Sequence, residues 1–77
     1  MTKTYQSRIL NILASAEQSG KPAVFNRPLA NKRFRNVDDV HGTIMRTARY
    51  MAEDNLLKRI GRGQFKLTPK GRKAAKA

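Results

Sequence analysis

The segment LLKRIGRGQFKLT (residues 56–68) restricts the fold more than any other part of the chain. Two β-prone runs flank Gly61 and Gly63, which permit a tight turn, and in the second run Phe65 and Leu67 alternate with a lysine. We therefore predict a β-hairpin at this position. Its large apolar anchors are expected to be Ile60, Phe65 and Leu67.

Glycines beside cations also occur in loops that bind nucleotide phosphates, which gives a second interpretation of this segment. A P-loop requires a strand, the pattern G-x-x-x-x-G-K-[ST], and then a helix whose N-terminus faces the phosphates. The sequence GRGQFKLT (residues 61–68) has neither this spacing nor this context. A hairpin with Arg62 projecting from its tip accounts for the residues better.

Three helical patterns precede the hairpin. In the first, apolar residues recur at helical spacing on one face: Tyr5, Ile9, Ile12, Leu13 and Ala16. This pattern predicts a helix over residues 5–19. Thr4 is expected to cap its start, and Gly20 followed by Pro22 is expected to end it.

The next two elements are short. Residues 23–25 (AVF) are β-prone and bounded by turn residues, which predicts a strand of a few residues. The sequence NRPLANKRF then predicts a helix of about two turns. Asn26 can cap it, and Pro28 lies in the first turn, where its missing N–H costs nothing. Its apolar face is supplied by Leu29, Ala30 and Phe34.

Four apolar residues that would face the core predict the third helix: Val40, Ile44, Ala48 and Met51. Asp38 or Asn36 is expected to cap it, and Asn55, which tolerates a left-handed conformation, is expected to follow its end. The exposed face contains Gly42, Arg46, Arg49 and Glu53, with Met45 and Tyr50 beside them. Gly42 at an exposed helical position indicates either a close approach by another group or a poorly optimised first turn. Thr68 and Pro69 predict the start of a short terminal helix.

Charge narrows the range of partners. The 77 residues include 17 Lys and Arg against five Asp and Glu, a formal net charge of +12, and residues 56–77 contain eight cations and no acid. Such a density attracts polyanions, so nucleic acid is the leading partner, with a merely solvated surface as the alternative. The chain has no cysteine and no apolar stretch long enough for a signal peptide or a membrane span, which predicts an intracellular protein without a membrane partner.

The composition contains few residues that could support catalysis. His41 is the only histidine, no thiol is present, and two of the five carboxylates are candidate helix caps. No nucleophile–base pair and no metal-ligand spacing is recognisable, so we expect neither an enzyme nor a bound metal or cofactor.

The segment AEDNLLKRIGRGQFKLTPKG resembles the end of a recognition helix followed by a wing in the winged helix-turn-helix superfamily, and is similar to small bacterial or phage regulators of the MarR-like and PadR-like groups. In those groups a small turn residue precedes Leu-Leu-x-Arg, and the second wing strand ends in Leu-Thr-x-x-Gly. The corresponding residues here are Asn55, Leu56, Leu57, Arg59, Leu67, Thr68 and Gly71. The resemblance implies an α+β winged helix over residues 1–71: a three-helix bundle, a C-terminal β-hairpin wing, and residues 23–25 as an optional third strand. Residues 72–77 would form a basic Lys/Ala-rich tail.

The resemblance also implies how DNA would be contacted. The third helix would enter the major groove, and the wing would lie against the adjacent minor groove or its phosphates. The groove-facing candidates are Thr43, Arg46, Arg49 and Tyr50, with Arg62 at the wing tip. Arg46 or Arg49 could read a guanine edge or hold a phosphate, and Tyr50 could instead cover the edge of the core. The candidates for backbone contacts are Lys32, Arg33, Arg35, Lys66, Lys70, Arg72 and Lys73.

Together these patterns predict a monomeric or weakly dimeric protein that binds double-stranded DNA, specifically or generally, and regulates transcription. Its expected location is the cytoplasm of a bacterial or phage-infected cell, in association with the nucleoid. Two alternatives remain open. A small basic winged helix can dock on a polymerase or another regulator, and would then expose an apolar patch around Met45 and Tyr50. RNA is the other candidate partner, although no aromatic platform for single strands is recognisable.

Overall fold

Four helices and an antiparallel sheet of three strands make up residues 5–76, which are the residues that the computed structural model describes. The elements are α1 (Tyr5–Gln18), β1 (Val24–Phe25), α2 (Arg27–Arg33), a π-helical segment (His41–Met45) that continues directly into α3 (Arg46–Glu53), β2 (Leu57–Gly61), β3 (Gln64–Leu67) and α4 (Pro69–Lys76). The predicted α+β class is therefore confirmed.

Helix α1 ends where its sequence predicts. Gly20 adopts a left-handed conformation with φ of 71°. Its N–H donates to the carbonyl of Glu17, and the N–H of Lys21 donates to the carbonyl of Ala16 at 2.9 Å, which are the two hydrogen bonds of a Schellman motif. The helix itself stops at Gln18, one residue before the predicted end. The predicted cap, Thr4, lies outside the described residues.

The short strand and α2 also follow their local signals. The side chain of Asn26 accepts a hydrogen bond from the N–H of Leu29 at 3.0 Å, and Pro28 lies in the first turn, as predicted. Phe34 ends the helix with its N–H bonded to the carbonyl of Ala30 and its ring fully buried. The ring contacts that of Phe25 edge to face, with 6.4 Å between centroids, which joins α2 to the sheet.

The entrance to the third helix differs from the prediction in two ways. Its first turn is capped by Asp39, whose carboxylate accepts the N–H of Gly42 at 2.8 Å, so the expected cap at Asp38 or Asn36 is wrong. A π-helical turn bonds residue i to i+5 and so holds one more residue than an α-helical turn. Residues His41–Met45 form such a turn. Met45, expected beside the exposed face, is buried next to Ile44 with only 6% of its surface exposed.

Gly42 permits the close approach of a group of the same chain, the carboxylate of Asp39. A Cβ at this position would overlap the carboxylate of Asp39 that caps the same turn. The glycine is therefore explained by the cap, and no external group needs to be invoked for it.

Strand β3 is central in the sheet, with β1 and β2 on either side. Leu57 lies opposite Leu67, and Phe25 lies opposite Phe65; all four side chains are buried and form the inner face. The two turn predictions on either side of β2 are confirmed: Asn55 has a φ of 64° and Gly63 a φ of 68°.

A β-bulge interrupts the pairing of β2 and β3 between Arg59 and Gly61. Ile60 is the extra residue, and 44% of its surface is exposed. The prediction that Ile60 anchors the hairpin is therefore wrong: Leu57 points inward, so alternation along β2 puts Ile60, three residues later, on the outer face. Phe65 and Leu67 are buried as predicted.

Thr68 connects the base of the hairpin to α4. Its hydroxyl accepts the N–H of Gly71 at 3.0 Å and lies within hydrogen-bond distance of the carbonyl oxygens of Asn55 and Leu56. One turn later, Gly71 is packed so closely against Leu56 that a Cβ would overlap the Leu56 carbonyl oxygen. The chain can make this contact only with glycine.

Residues 72–76 belong to α4, where the sequence suggested a tail. Ala74 and Ala75 pack against the core, and α4 lies against α1. An ion pair stabilises this contact between the two helices. The Arg72 guanidinium binds the Glu17 carboxylate at 2.9 Å. Hydrogen bonds from Arg72 lower the pKa of Glu17 below the usual glutamate value. The short terminal helix predicted to start at Thr68 and Pro69 is thus confirmed as α4, and it extends through the residues that were expected to form a basic tail.

Candidate nucleic-acid interface

A groove of about 340 Å³ separates the third helix from the β2–β3 hairpin. Its helical wall carries His41 and Arg49, its hairpin wall carries Arg59 and Arg62, and Met45 and Phe65 close its floor. The groove continues past Arg49 and Arg59 toward Glu53. Three arginines from two separate elements therefore converge on one depression, with a single carboxylate at one end.

The helical side of the groove follows from the spacing of its residues. His41, Met45 and Arg49 are four residues apart and form one stripe along the helix. Arg49 is exposed on this stripe, whereas Met45 is buried beneath it. Arg49, which was predicted to face the major groove of DNA, thus lies in the protein's own groove between the third helix and the hairpin.

The hairpin side follows from strand register. Arg59 lies directly opposite Phe65, and opposite residues of an antiparallel pair project from the same face. Arg59 therefore projects from the same face of the sheet as the buried Phe65. Its side chain lies beyond the edge of the core and is exposed to solvent. Its Nε donates to the carbonyl of Gly61 at 3.3 Å, which holds the side chain along the hairpin. Arg62, in the turn, completes the cationic wall.

Within residues 5–76, none of these three arginines forms an ion pair. Across residues 5–76 the only ion pair joins Arg72 and Glu17. Three uncompensated guanidiniums around one groove create a positive potential there, and their forked N–H groups suit phosphate oxygens or the acceptor edge of guanine.

The other predicted DNA contacts on the third helix do not line the groove between that helix and the hairpin. Arg46 is exposed one turn before Arg49 and does not line the groove. Tyr50 is 53% exposed. Thr43 is half-buried, and its carbonyl accepts a hydrogen bond from the Thr47 hydroxyl at 2.7 Å. Because Met45 is buried, the apolar patch that protein docking would use reduces to Tyr50 alone.

The cations at the end of α2 lie near a second cationic site. Arg33 and Arg8 line a separate groove of about 260 Å³ between α1 and α2. The Arg8 guanidinium lies 4.4 Å from the centroid of the Phe34 ring and donates to the carbonyl of Arg33 at 3.4 Å. Arg8 therefore holds the end of α2 in place, while Lys32, Arg33 and Arg35 remain exposed.

The cations that follow the hairpin are distributed over other surfaces. Lys66 lies on the outer face of the sheet, opposite Lys58. The ammonium of Lys70 donates to the carbonyl of Asp54 at 3.1 Å, which ties α4 to the end of α3. Arg72 is engaged with Glu17, and Lys73 is exposed on α4. None of these four residues lines the groove.

Sequence analysis did not include the groove residues His41 and Arg59 among the candidate contacts. The signal was present, since Arg59 follows the inward-facing Leu57 by two residues and strand alternation puts both on the same face. For metal chemistry, no group of three His, Asp or Glu side chains within residues 5–76 could hold an ion. Within the same residues, no helix combines the length and the apolar character needed to cross a membrane.

No protein-family model matches the chain, and searches of curated proteins and of solved structures find no match either. The functional inference therefore depends on the geometry and charge of the chain itself.

Proposed function

We propose that the protein is a winged-helix protein that binds double-stranded DNA and regulates transcription. In this proposal the third helix enters the major groove, and the β2–β3 hairpin is a wing against the adjacent minor groove or its phosphates. The observation that carries the proposal is the convergence of Arg49, Arg59 and Arg62 on one groove without a carboxylate partner. Arginines placed in this way attract a polyanion from two directions.

The order of elements supports the winged-helix assignment. The hairpin follows α3 directly, and β1 adds a third strand beside β3, which binds the hairpin to the body of the domain. The exposed face of α3 carries Arg46 and Arg49, and the major groove, which is about 12 Å wide, admits an α-helix.

The proposal gives each arginine a role. Arg46 and Arg49 read base edges or hold phosphates from the major groove, while Arg59 and Arg62 contact phosphates from the wing. Lys32, Arg33 and Arg35 would position the duplex from the end of α2. Base readers confer sequence preference, whereas phosphate contacts contribute affinity for every sequence.

Salt dependence tests the proposal as a whole. With roughly five phosphate contacts, the plot of log affinity against log salt concentration is expected to have a slope of about −4 to −5. We would measure it by fluorescence anisotropy with a labelled duplex of random sequence between low and physiological salt. A flat response would exclude a phosphate-dominated interface and with it the proposed function.

Two substitutions separate base reading from phosphate binding. Arg59→Ala is expected to reduce the slope by about one unit on every duplex, whereas Arg49→Ala is expected to cost about 1–3 kcal/mol on a selected preferred site and less on random DNA. Lys21→Ala, which removes an exposed cation from the loop after α1, is the matched control. Equal losses for all three variants would show that only total charge matters and would contradict the assigned roles.

A further inference from the structure

Two lysines lie directly opposite each other on the outer face of the sheet. Lys58 of β2 pairs with Lys66 of β3 in the register, and both side chains are exposed. The Cβ atoms of such a pair are roughly 4.5–5.5 Å apart, and like charges in this arrangement are destabilising. The register therefore places two like charges next to each other on this face.

The two lysines are on the other side of the sheet from the groove. Their neighbours in the strands, Leu57, Phe65 and Leu67, are buried on the inner face, and Arg59 continues that face into the groove. Because successive residues of a strand project to opposite sides, Lys58 and Lys66 point away from the groove wall. The hairpin thus carries cations on both faces.

No counter-charge compensates the pair. Residues 57–67 contain four cations and no acid, and across residues 5–76 the one ion pair involves neither lysine. The third strand does not add one either, since Val24 is the residue opposite Lys66 in β1. Two exposed lysines in this register, with no acid among residues 57–67, have the chemistry of a site for an anion supplied from outside the chain.

We propose that the outer face of the sheet, defined by Lys58 and Lys66, is a second phosphate-binding surface that is used together with the groove when DNA is bound. The inference rests on the proposed function. The phosphates could come from the far strand of the minor groove that the hairpin enters, or from a second duplex that the protein holds beside the first. The chemistry is the same in both cases, and the experiment distinguishes the two sources.

The test compares Lys58→Gln, Lys66→Gln and the double variant with the parent protein and with Lys21→Gln, which removes the same charge elsewhere. One measurement is the salt slope of affinity for a single short labelled duplex. The other is bridging, in which an immobilised duplex loaded with protein captures a second, labelled duplex from solution. Thermal melting is recorded for every variant, and Lys58→Gln is expected to melt at or above the temperature of the parent because a repulsive pair is removed.

If the phosphates belong to the same duplex, the double variant should reduce the salt slope by about two units, since each phosphate contact contributes about 0.9. If they belong to a second duplex, the slope should be retained and capture should be lost. Slopes and capture equal to those of Lys21→Gln would overturn the second surface while leaving the groove intact. A parent protein that shows no salt-dependent affinity would instead disprove the proposed function itself.

Discussion

Phe65→Ala is expected to lower the free energy of unfolding by about 3–5 kcal/mol, as truncation of a buried aromatic side chain typically does. Phe65 is 2% exposed, lies opposite Phe25 across the central strand pair, and closes the floor of the groove. A domain of this length has roughly 4–12 kcal/mol of stability in total. A parent stability at the lower end of this range would leave the variant largely unfolded at 37 °C, and chemical denaturation followed by circular dichroism would measure the loss.

Arg62→Ala is the matched control for this prediction. Arg62 lies in the same hairpin but is exposed in its turn, so its removal should leave the denaturation midpoint nearly unchanged while duplex affinity falls. Within this one hairpin, Phe65 would then determine the stability of the fold and Arg62 the affinity for DNA. A destabilised Arg62→Ala protein, or one that binds DNA as tightly as the parent, would contradict the assignment of the hairpin tip as a contact surface.

Gly71→Ala is expected to destabilise the fold by about 1–3 kcal/mol, the usual range for overpacking. The added methyl group would overlap a backbone oxygen, that of Leu56, and this atom is fixed because the Thr68 hydroxyl and the Thr68 N–H are also hydrogen-bonded to it. Helix α4 would have to move away from the base of the hairpin. For a domain of this size each kcal/mol corresponds to roughly 4–8 °C in melting temperature.

Gly42→Ala provides the comparison, because its methyl group would also overlap an oxygen atom, that of Asp39. Here the oxygen belongs to a side chain that can rotate away. The lost cap costs about 0.5–2 kcal/mol, and alanine in a helix returns about 0.5–1 kcal/mol, so the net change should be small. Melting curves for both variants test the difference. Equal destabilisation would show that contact distance alone, and not the freedom of the contacted atom, sets the cost.

The features that sequence analysis predicted correctly depend on a few neighbouring residues. Asn26 caps α2 because its side chain reaches an N–H three residues away, and Gly20 and Asn55 adopt left-handed conformations that most residues avoid. Each of these rules is local, so the rest of the chain does not change its outcome.

Two residues lie elsewhere than predicted because their local pattern does not determine burial. Met45 is at the flank of the core-facing stripe, and its side chain is buried beneath the groove between the helix and the hairpin. Ile60 was expected to anchor the hairpin because it is large and apolar, but alternation from the inward-facing Leu57 puts it on the outer face of β2. Both outcomes depend on how the helix and the hairpin pack against the body.

The positions of the cations required the tertiary structure. Arg49 and Arg62 were predicted as contact residues, but nothing in their separate segments shows that they face each other across a groove. Likewise, Arg72 and Lys70 have partners in α1 and after α3 only because α4 packs against those elements. Sequence shows which residues are basic, and the packing decides which of them share a surface.

The π-helical segment His41–Met45 makes the residue count of this stretch as important as its composition. Deleting one residue between Asp39 and Met45 would return the turn to α-helical spacing and rotate everything before the deletion by about 100° relative to Arg49. His41 would then leave the groove. Homologues that retain this groove must therefore tolerate substitutions here far better than insertions or deletions.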